Sequence, residues 1–311
     1  MVIGSLQKSD SRKADNADEL RNNHENYDEE DAEIIEQENK NEEELQCALA
    51  DLMGALFQSH KELTYPLVQF VQKELLPKVL NENVSPIMNR FGLFLIDNMI
   101  EYLGLEHIPN EWPYLVKVLI EYCSSKIADL RQAATYGIGV LAEKADGEGF
   151  KQVSEYCLKA LVTAIDMKKR DNEEKMDYYH ARDNAVSALG KVIKCQYANI
   201  PLKETVQKWL GYLPLRHDKV EAKFMHELLV DIILESDANL VFGEKGESLP
   251  KVMQTFAEVV DTKLASETFK EKVKKVVELL MSNEASRPML HEAVGKIDKK
   301  WQDKLQRVLG L

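Results

Sequence analysis

The sequence predicts an all-α solenoid built from antiparallel helix pairs, on three observations. Asp129–Ala142 places Leu130, Ala134, Gly137, Ile138 and Leu141 at three- and four-residue steps, which is one face of a helix. The stretch recurs: a shift of 51 residues sets Arg131 on Arg182, Ala134 on Ala185, Ile138 on Leu189, Gly139 on Gly190 and Leu141 on Val192. An internal period of this kind decides architecture before any single element does. No segment shows the alternation of a strand. Each helix pair exposes an apolar face that it cannot bury alone, so stacking of pairs is the physical solution.

Within the recurring stretch, Ala133, Ala134, Gly137 and Gly139 let a neighbouring helix approach closely. Glycine inside a helix costs roughly 1 kcal/mol against alanine, so two of them imply that close packing compensates. Arg131 follows an apolar residue and precedes a small one three positions on, which resembles the second helix of a HEAT repeat. The expected fold class is therefore an all-α, HEAT-repeat, right-handed α-solenoid of antiparallel helix pairs.

Taken in order, residues 1–43 are rich in Asn, Glu, Asp, Lys and Ser, with scattered Ile and Leu that share no face. Burial there does not offset the ordering entropy, and a disordered acidic segment is expected. Residues 44–311 are expected to form the solenoid, about six helix pairs. From Glu44, Leu45, Leu49, Leu52 and Leu56 define a first apolar face. Thr64 is placed to cap a second helix, with Pro66 in its first turn and Leu67, Phe70, Val71, Leu75 and Val79 facing inward. Pro77 lies inside that pattern and predicts a kink. Pro86 opens a helix buried through Phe91, Leu95, Met99 and Leu103, and Asn110 is placed to cap one that carries Leu115 and Leu119. After the Asp129 helix, Gly147 and Gly149 mark a break before a helix of Val153, Tyr156, Cys157, Ala160 and Ile165. The charged run KKRDNEEKMD then lengthens the period beyond the usual ~40–47 residues of such repeats. Helices over Tyr178–Lys194, Leu202–Leu210, Val220–Glu235, Pro250–Val260 and Phe269–Met281 follow, with a short amphipathic pair up to Leu309.

Charge is unevenly placed. Residues 1–46 hold 15 Asp/Glu against 5 Lys/Arg, so most of the net −13 lies there. The rest lacks the basic balance of a nucleic-acid-binding body, and no nucleic-acid partner is expected. No apolar run reaches the roughly 18 residues of a membrane span, and none is expected to engage a membrane. The four cysteines, Cys47, Cys123, Cys157 and Cys195, lie far apart without a CxxC pair and read as reduced thiols rather than a zinc or disulfide framework.

The search for chemistry returns little. Gly137-Ile138-Gly139-x-x-Ala142 fits the text of a dinucleotide fingerprint, but the motif needs a preceding strand, and LRQAAT reads as helix. His217 and His226 are read as surface or packing residues, and no metal-ligand, nucleophile or phosphate-loop pattern appears. No catalytic residue, cofactor or metal is expected. What remains is surface. In a HEAT-type stack one helix of each pair lines the concave side, and its non-core positions form a groove. These positions include Asp97, Asn98 and Glu101 on one helix and Asp183, Asn184, Ser187 and Lys191 on another, and their acidic and amide groups are placed to accept hydrogen bonds from basic side chains or an extended backbone.

Particular strings resemble the importin-β family of nuclear transport receptors, above all its importin-beta-3 branch: Phe91–Gly104 (FGLFLIDNMIEYLG), Leu130–Ala142, Asp183–Lys194 (DNAVSALGKVIK), Trp209–Ala222 (WLGYLPLRHDKVEA) and the LPK at Leu249–Lys251. The similarity is colinear from about Tyr27–Glu44 to Val260 and covers only the C-terminal third of such receptors, with residues 1–43 matching an acidic loop between repeats. The resemblance implies a non-enzymatic protein of cytoplasm and nucleus. It also implies binding of import cargo with basic localisation signals and of Phe-Gly nucleoporins. Control by the GTPase Ran is implied too, with its main contact in N-terminal repeats outside this chain. A HEAT scaffold of another class, such as a phosphatase or assembly platform, is the alternative.

Overall fold

A computed structural model describes residues 2–22 and 29–310, and every regular element among them is helical. The chain forms two compact units, one up to Lys144 and one from Ala145.

In the first unit, α1 (Val2–Asn22) pairs with α2 (Glu29–His60). These helices cover most of the stretch expected to be disordered, and α2 runs through position 43 without a break. What composition hides is pairing across the hairpin. Arg12 bonds Glu42, Lys13 Nζ meets Glu43 Oε1 at 2.8 Å, and Gln46 Nε2 donates to Ser9 Oγ at 3.0 Å. Leu6 and Ile35, with no apolar periodicity around them, are buried.

The expected face of α2 is also rotated. Leu45, Leu52 and Leu56 stay 37–46% exposed, whereas Gln46, Ala50, Met53, Gly54 and Phe57 are buried. Small residues decide this. Asn98 of α5 packs on Gly54 and donates to the Ala50 carbonyl at 2.9 Å, an approach that a leucine face would block.

α3 (Tyr65–Phe70) and α4 (Leu76–Val79) are joined by a π-helical turn at Val71–Leu75. Pro77 has no N–H to continue the α-helical ladder, and the kink it predicts is absorbed in the turn just before it. Thr64 stands at the N-cap of α3 but makes no side-chain cap bond; its hydroxyl serves the Lys61 carbonyl instead. α5 (Pro86–Asn98) continues into a second π-turn at Met99–Leu103, and Phe91, Leu95, Met99 and Leu103 are all buried as the spacing predicts. α6 (Trp112–Tyr122) begins after Glu111, not on Asn110, again without a side-chain cap. α7 (Ala128–Lys144) packs against α5 on one side and α6 on the other. Arg131, buried in α7, donates to the Ser125 carbonyl at 2.9 Å and ties down the preceding turn. Helices α2, α5 and α7 thus form a row.

The second unit repeats the scheme. α8 (Gly147–Asp166), capped by Asp146, packs on α9 (Lys175–Cys195); its first turn contains Gly147 and Gly149, so the break lies before them, at Ala145–Asp146. Tyr156, expected on its buried face, is exposed. α10 (Leu202–Tyr212) packs on α9 and on the short α12 (Asn239–Phe242), while α11 (Lys219–Glu235) lies between α9 and α14 (Phe269–Ser282). α13 (Leu249–Val259), α15 (Ser286–Gly295) and α16 (Lys299–Leu309) close the unit.

The three recurring positions of the 51-residue shift that carry an apolar side chain are core in both copies: Ala134, Ile138, Leu141, Ala185, Leu189 and Val192 are at most 1% exposed. Ile138→Asp should therefore put an unpaired charge into the first unit at a cost of several kcal/mol. We expect helix melting followed by circular dichroism to lose its cooperative transition there. Ile138→Val should cost about 1 kcal/mol.

Candidate functional site

The residues expected to line a groove fall into two groups, and the structure uses each differently. On α9, Asp183 is 3% exposed. Its Oδ2 accepts from three consecutive backbone N–H groups, those of Arg216 (3.1 Å), His217 (2.7 Å) and Asp218 (3.1 Å). Asp218 in turn caps α11, its Oδ1 accepting from the N–H of Val220 and Glu221 at 3.0 Å each. Asn184 donates to Asp218 Oδ2 at 3.1 Å and to the His180 carbonyl at 3.3 Å, and Ser187 donates to the Glu221 carboxylate. Asp183, Asn184 and Ser187 therefore hold α11 onto α9 instead of facing solvent. Helix period alone cannot tell an outward polar face from one covered by the next helix.

The string that most resembles the importin-β family is the segment these residues grip. Trp209, fully buried, donates its indole N–H to the Val186 carbonyl at 3.1 Å. Gly190 faces it: a Cβ there would strike Met225 Sδ. His226 is buried between two backbone groups. Leu215 N–H donates to its Nε2 at 3.1 Å, so the ring proton sits on Nδ1 and donates to the Leu264 carbonyl at 3.0 Å. Burial holds this imidazole near 4, below its usual 6.5. Lys251, from the LPK string, reaches the Leu213 carbonyl at 2.6 Å. His217 stacks flat on Tyr179, centroids 4.1 Å apart. Asp218, Trp209, His226 and Lys251 were not singled out by sequence reasoning as a site. For Trp209, Asp218 and Lys251 the signal was the specificity of the strings that hold them, not any chemical pattern; His226 lies outside those strings.

On α5 the arrangement is different. Asn98 is spent on Ala50. Asp97 is 3% exposed, and neither carboxylate oxygen has a hydrogen-bond partner among the described residues. It sits in the notch left by Gly137 of α7, where a Cβ would collide with Oδ1. Burial, helped by the neighbouring Glu101 charge, pushes the Asp97 carboxyl well above the usual carboxylate range. Glu101, one turn on and half-buried, accepts from the Tyr136 hydroxyl at 3.3 Å. Arg90, lower on the same helix, is occupied by Asp129 (3.0 Å) and Glu43 (3.7 Å). Beside it, Glu43, Glu44, Asp51, Lys40 and Cys47 line an open cavity of about 410 Å³. Asp97 and Asn98 thus do not share the open surface on which they were expected; Glu101 lies at its edge.

Among the described residues no group of three His, Cys, Asp or Glu side chains is placed to hold a metal ion. Cys123 and Cys157 are buried, and burial pushes the Cys157 thiol up to about 12.

Two expectations follow from the α9–α11 junction. Asp183→Ala leaves three backbone donors without their acceptor and should cost roughly 2–4 kcal/mol in urea unfolding of the second unit, with Asp183→Asn costing less because an oxygen remains. His226 binds its proton more weakly folded than unfolded. Its contribution is therefore present in full above about pH 6.5 and is lost as pH falls toward about 4. Stability should drop by about 2 kcal/mol between pH 7 and pH 5, and the drop should shrink in His226→Gln.

No family model matches the chain. It is 27% identical over 199 residues to a probable importin-5 homolog of Dictyostelium discoideum, a match that covers 62% of this chain and 18% of that protein. Its fold is similar to that of Kap121p bound to Nup53p, with TM-score 0.57 and 19% identity over 97% of this chain and 25% of that one. It is likewise similar to Kap121p bound to RanGTP, at TM-score 0.56 and 20% identity over 89% and 24%. The chain spans less than a fifth of the curated relative and about a quarter of Kap121p. Among the described residues the chain is all-α with the HEAT-solenoid fold of the karyopherin Kap121p, and in sequence it is similar to an importin-5 homolog, as the resemblance to the importin-β family implied.

Proposed function

We propose that this chain is a protein-binding, non-enzymatic HEAT-repeat portion of a nuclear import receptor, matching the C-terminal third of such receptors and working between cytoplasm and nucleus. The observation that carries this reading is the joint similarity to an importin-5 homolog in sequence and to Kap121p in fold, the latter solved with RanGTP, Nup53p and Pho4p. Its partners are import cargo with basic localisation signals and Phe-Gly nucleoporins, under Ran control exerted mainly outside this segment. The row α2–α5–α7 supports a basic partner, because Glu44, Asp51 and Glu101 keep carboxylates at its surface while Arg90 is already paired. Asp183, Asn184 and Ser187 act for that partner only indirectly, by fixing the position of α11.

The test is a titration of the full chain with three fluorescent probes: a basic localisation peptide, a Phe-Gly repeat peptide and GTP-loaded Ran. Binding of the basic peptide is expected at low ionic strength, falling several-fold between 50 and 200 mM salt as surface charges are screened. Failure of all three probes would favour a HEAT scaffold of another class.

A further inference from the structure

We propose that Arg182, Arg216, Lys251 and Lys304 of the second unit form a docking surface for an acidic segment of a partner protein, a run of Asp or Glu side chains. The surface has the opposite sign to the α2–α5–α7 row and belongs to the other unit, so its partner is distinct from the basic one. Its starting observation is a set of cations, three of them half-buried, that the fold orders but does not neutralise.

Two of the four are fixed by one turn. Lys251 Nζ donates to the Leu213 carbonyl at 2.6 Å, and Arg216 Nη1 reaches the adjacent Pro214 carbonyl at 3.5 Å. Backbone carbonyls hold these side chains in place and leave their charge intact. Arg182, half-buried on α9, lies over the Tyr212 ring at 5.8 Å and has no hydrogen-bond or carboxylate partner among the described residues. Lys304, half-buried on α16, lies over the Trp301 ring at 5.7 Å and has none either. The carboxylates around this group are committed. Glu258, its side chain 13% exposed, accepts from Arg216 Nη2 at 2.6 Å and from Gln254 Nε2 at 2.9 Å. Asp261 pairs with Lys270 at 3.1 Å, Asp166 accepts from the Tyr212 hydroxyl at 2.8 Å, and Asp183 is spent on backbone. Arg182, Lys251 and Lys304 are thus left without a counter-charge in a chain of net charge −13.

The arrangement narrows the occupant. A half-buried cation without a counter-charge gives up hydration that nothing replaces, and an arriving carboxylate supplies the missing partner. Burial pushes the Lys251 ammonium below its usual value; Glu258 opposes this, and Arg216 and Arg182 add to it. Lys304 is likewise lowered by burial, but among its charged neighbours are Asp261, Arg307 and Glu258, not Arg182 or Lys251. The cations therefore form a line from α9 through α13 to α16, which fits successive carboxylates better than one small anion. Nucleic acid fits less well, because bases stack on open aromatic faces. Here Arg182 lies over Tyr212, and Lys300 and Lys304 lie over Trp301 at 4.4 and 5.7 Å.

The experiment is fluorescence anisotropy of labelled octaglutamate, octaglutamine and octathymidylate titrated with the full chain. Wild type should bind octaglutamate and not octaglutamine, with affinity falling several-fold between 50 and 200 mM salt. Arg182→Gln, which removes only a ring contact, should weaken binding about fivefold; Lys251→Gln should do the same, and the pair about twentyfold. Glu258→Gln should tighten binding several-fold by freeing the Arg216 fork, and Lys159→Gln, exposed on α8, should leave it unchanged. If Lys251→Gln fails to fold, Arg182→Gln and Glu258→Gln decide. Equal affinity of wild type and Arg182→Gln, or no binding of octaglutamate, overturns the proposal. Binding of octathymidylate alone assigns the surface to nucleic acid and overturns it too. None of these outcomes bears on the basic partner, which is tested with a probe of opposite charge.

Discussion

One carboxylate oxygen accepting three successive backbone N–H groups is the contact on which the second unit turns. The chain between α10 and α11 reverses through Leu213–Asp218, and the amides of Leu215 to Asp218 have no helical partner of their own. Asp183 supplies that partner from α9, and Asp218, oriented by Asn184, then caps the helix that follows. The turn is thereby dictated by α9, one helix further back than α10, which makes neighbouring pairs depend on each other as solenoid units do. His226 closes the same turn from the other side, accepting from Leu215. The resulting cluster of polar groups is internal, and every member is satisfied, so it specifies the packing rather than weakening it.

The first unit solves the same problem with fewer polar contacts. Its row depends on close backbone approach at Gly54 and Gly137, with Asn98 donating to α2 and Arg131 to the turn before α7. The recurring Arg182 does something else: its guanidinium lies over the Tyr212 ring at 5.8 Å. The apolar frame of the repeat is thus kept while its polar positions are reassigned, which is why a shift of 51 residues aligns the core residues and not their bonds.

Much of the fold was legible because helical period and burial report the same thing. The faces of α5 and α7 follow from three- and four-residue spacing, and that of α9 from its alignment on α7. Where spacing offered two faces, as on α2, the larger leucines pointed the wrong way, since small residues decide how closely a neighbour can come. Caps at Thr64 and Asn110 failed for a related reason: residue type permits a cap, but the entering backbone decides whether it forms. The helices before Glu44 were illegible because they depend on charge pairing between segments some 30 residues apart. The site was legible as a set of polar positions on two helices. Which of those positions are covered depends on the neighbouring helix, and that information is in the tertiary structure alone.

The fit of Asp97 into the gap at Gly137 also limits how the sequence can drift. Neither residue is free to change by itself. A side chain at 137 demands a shorter residue at 97, while shortening 97 first leaves a hole bounded by Leu119 that only a later gain at 137 would fill. Relatives that depart from this pair should therefore depart at both positions, in the order that passes through the cavity rather than through the clash.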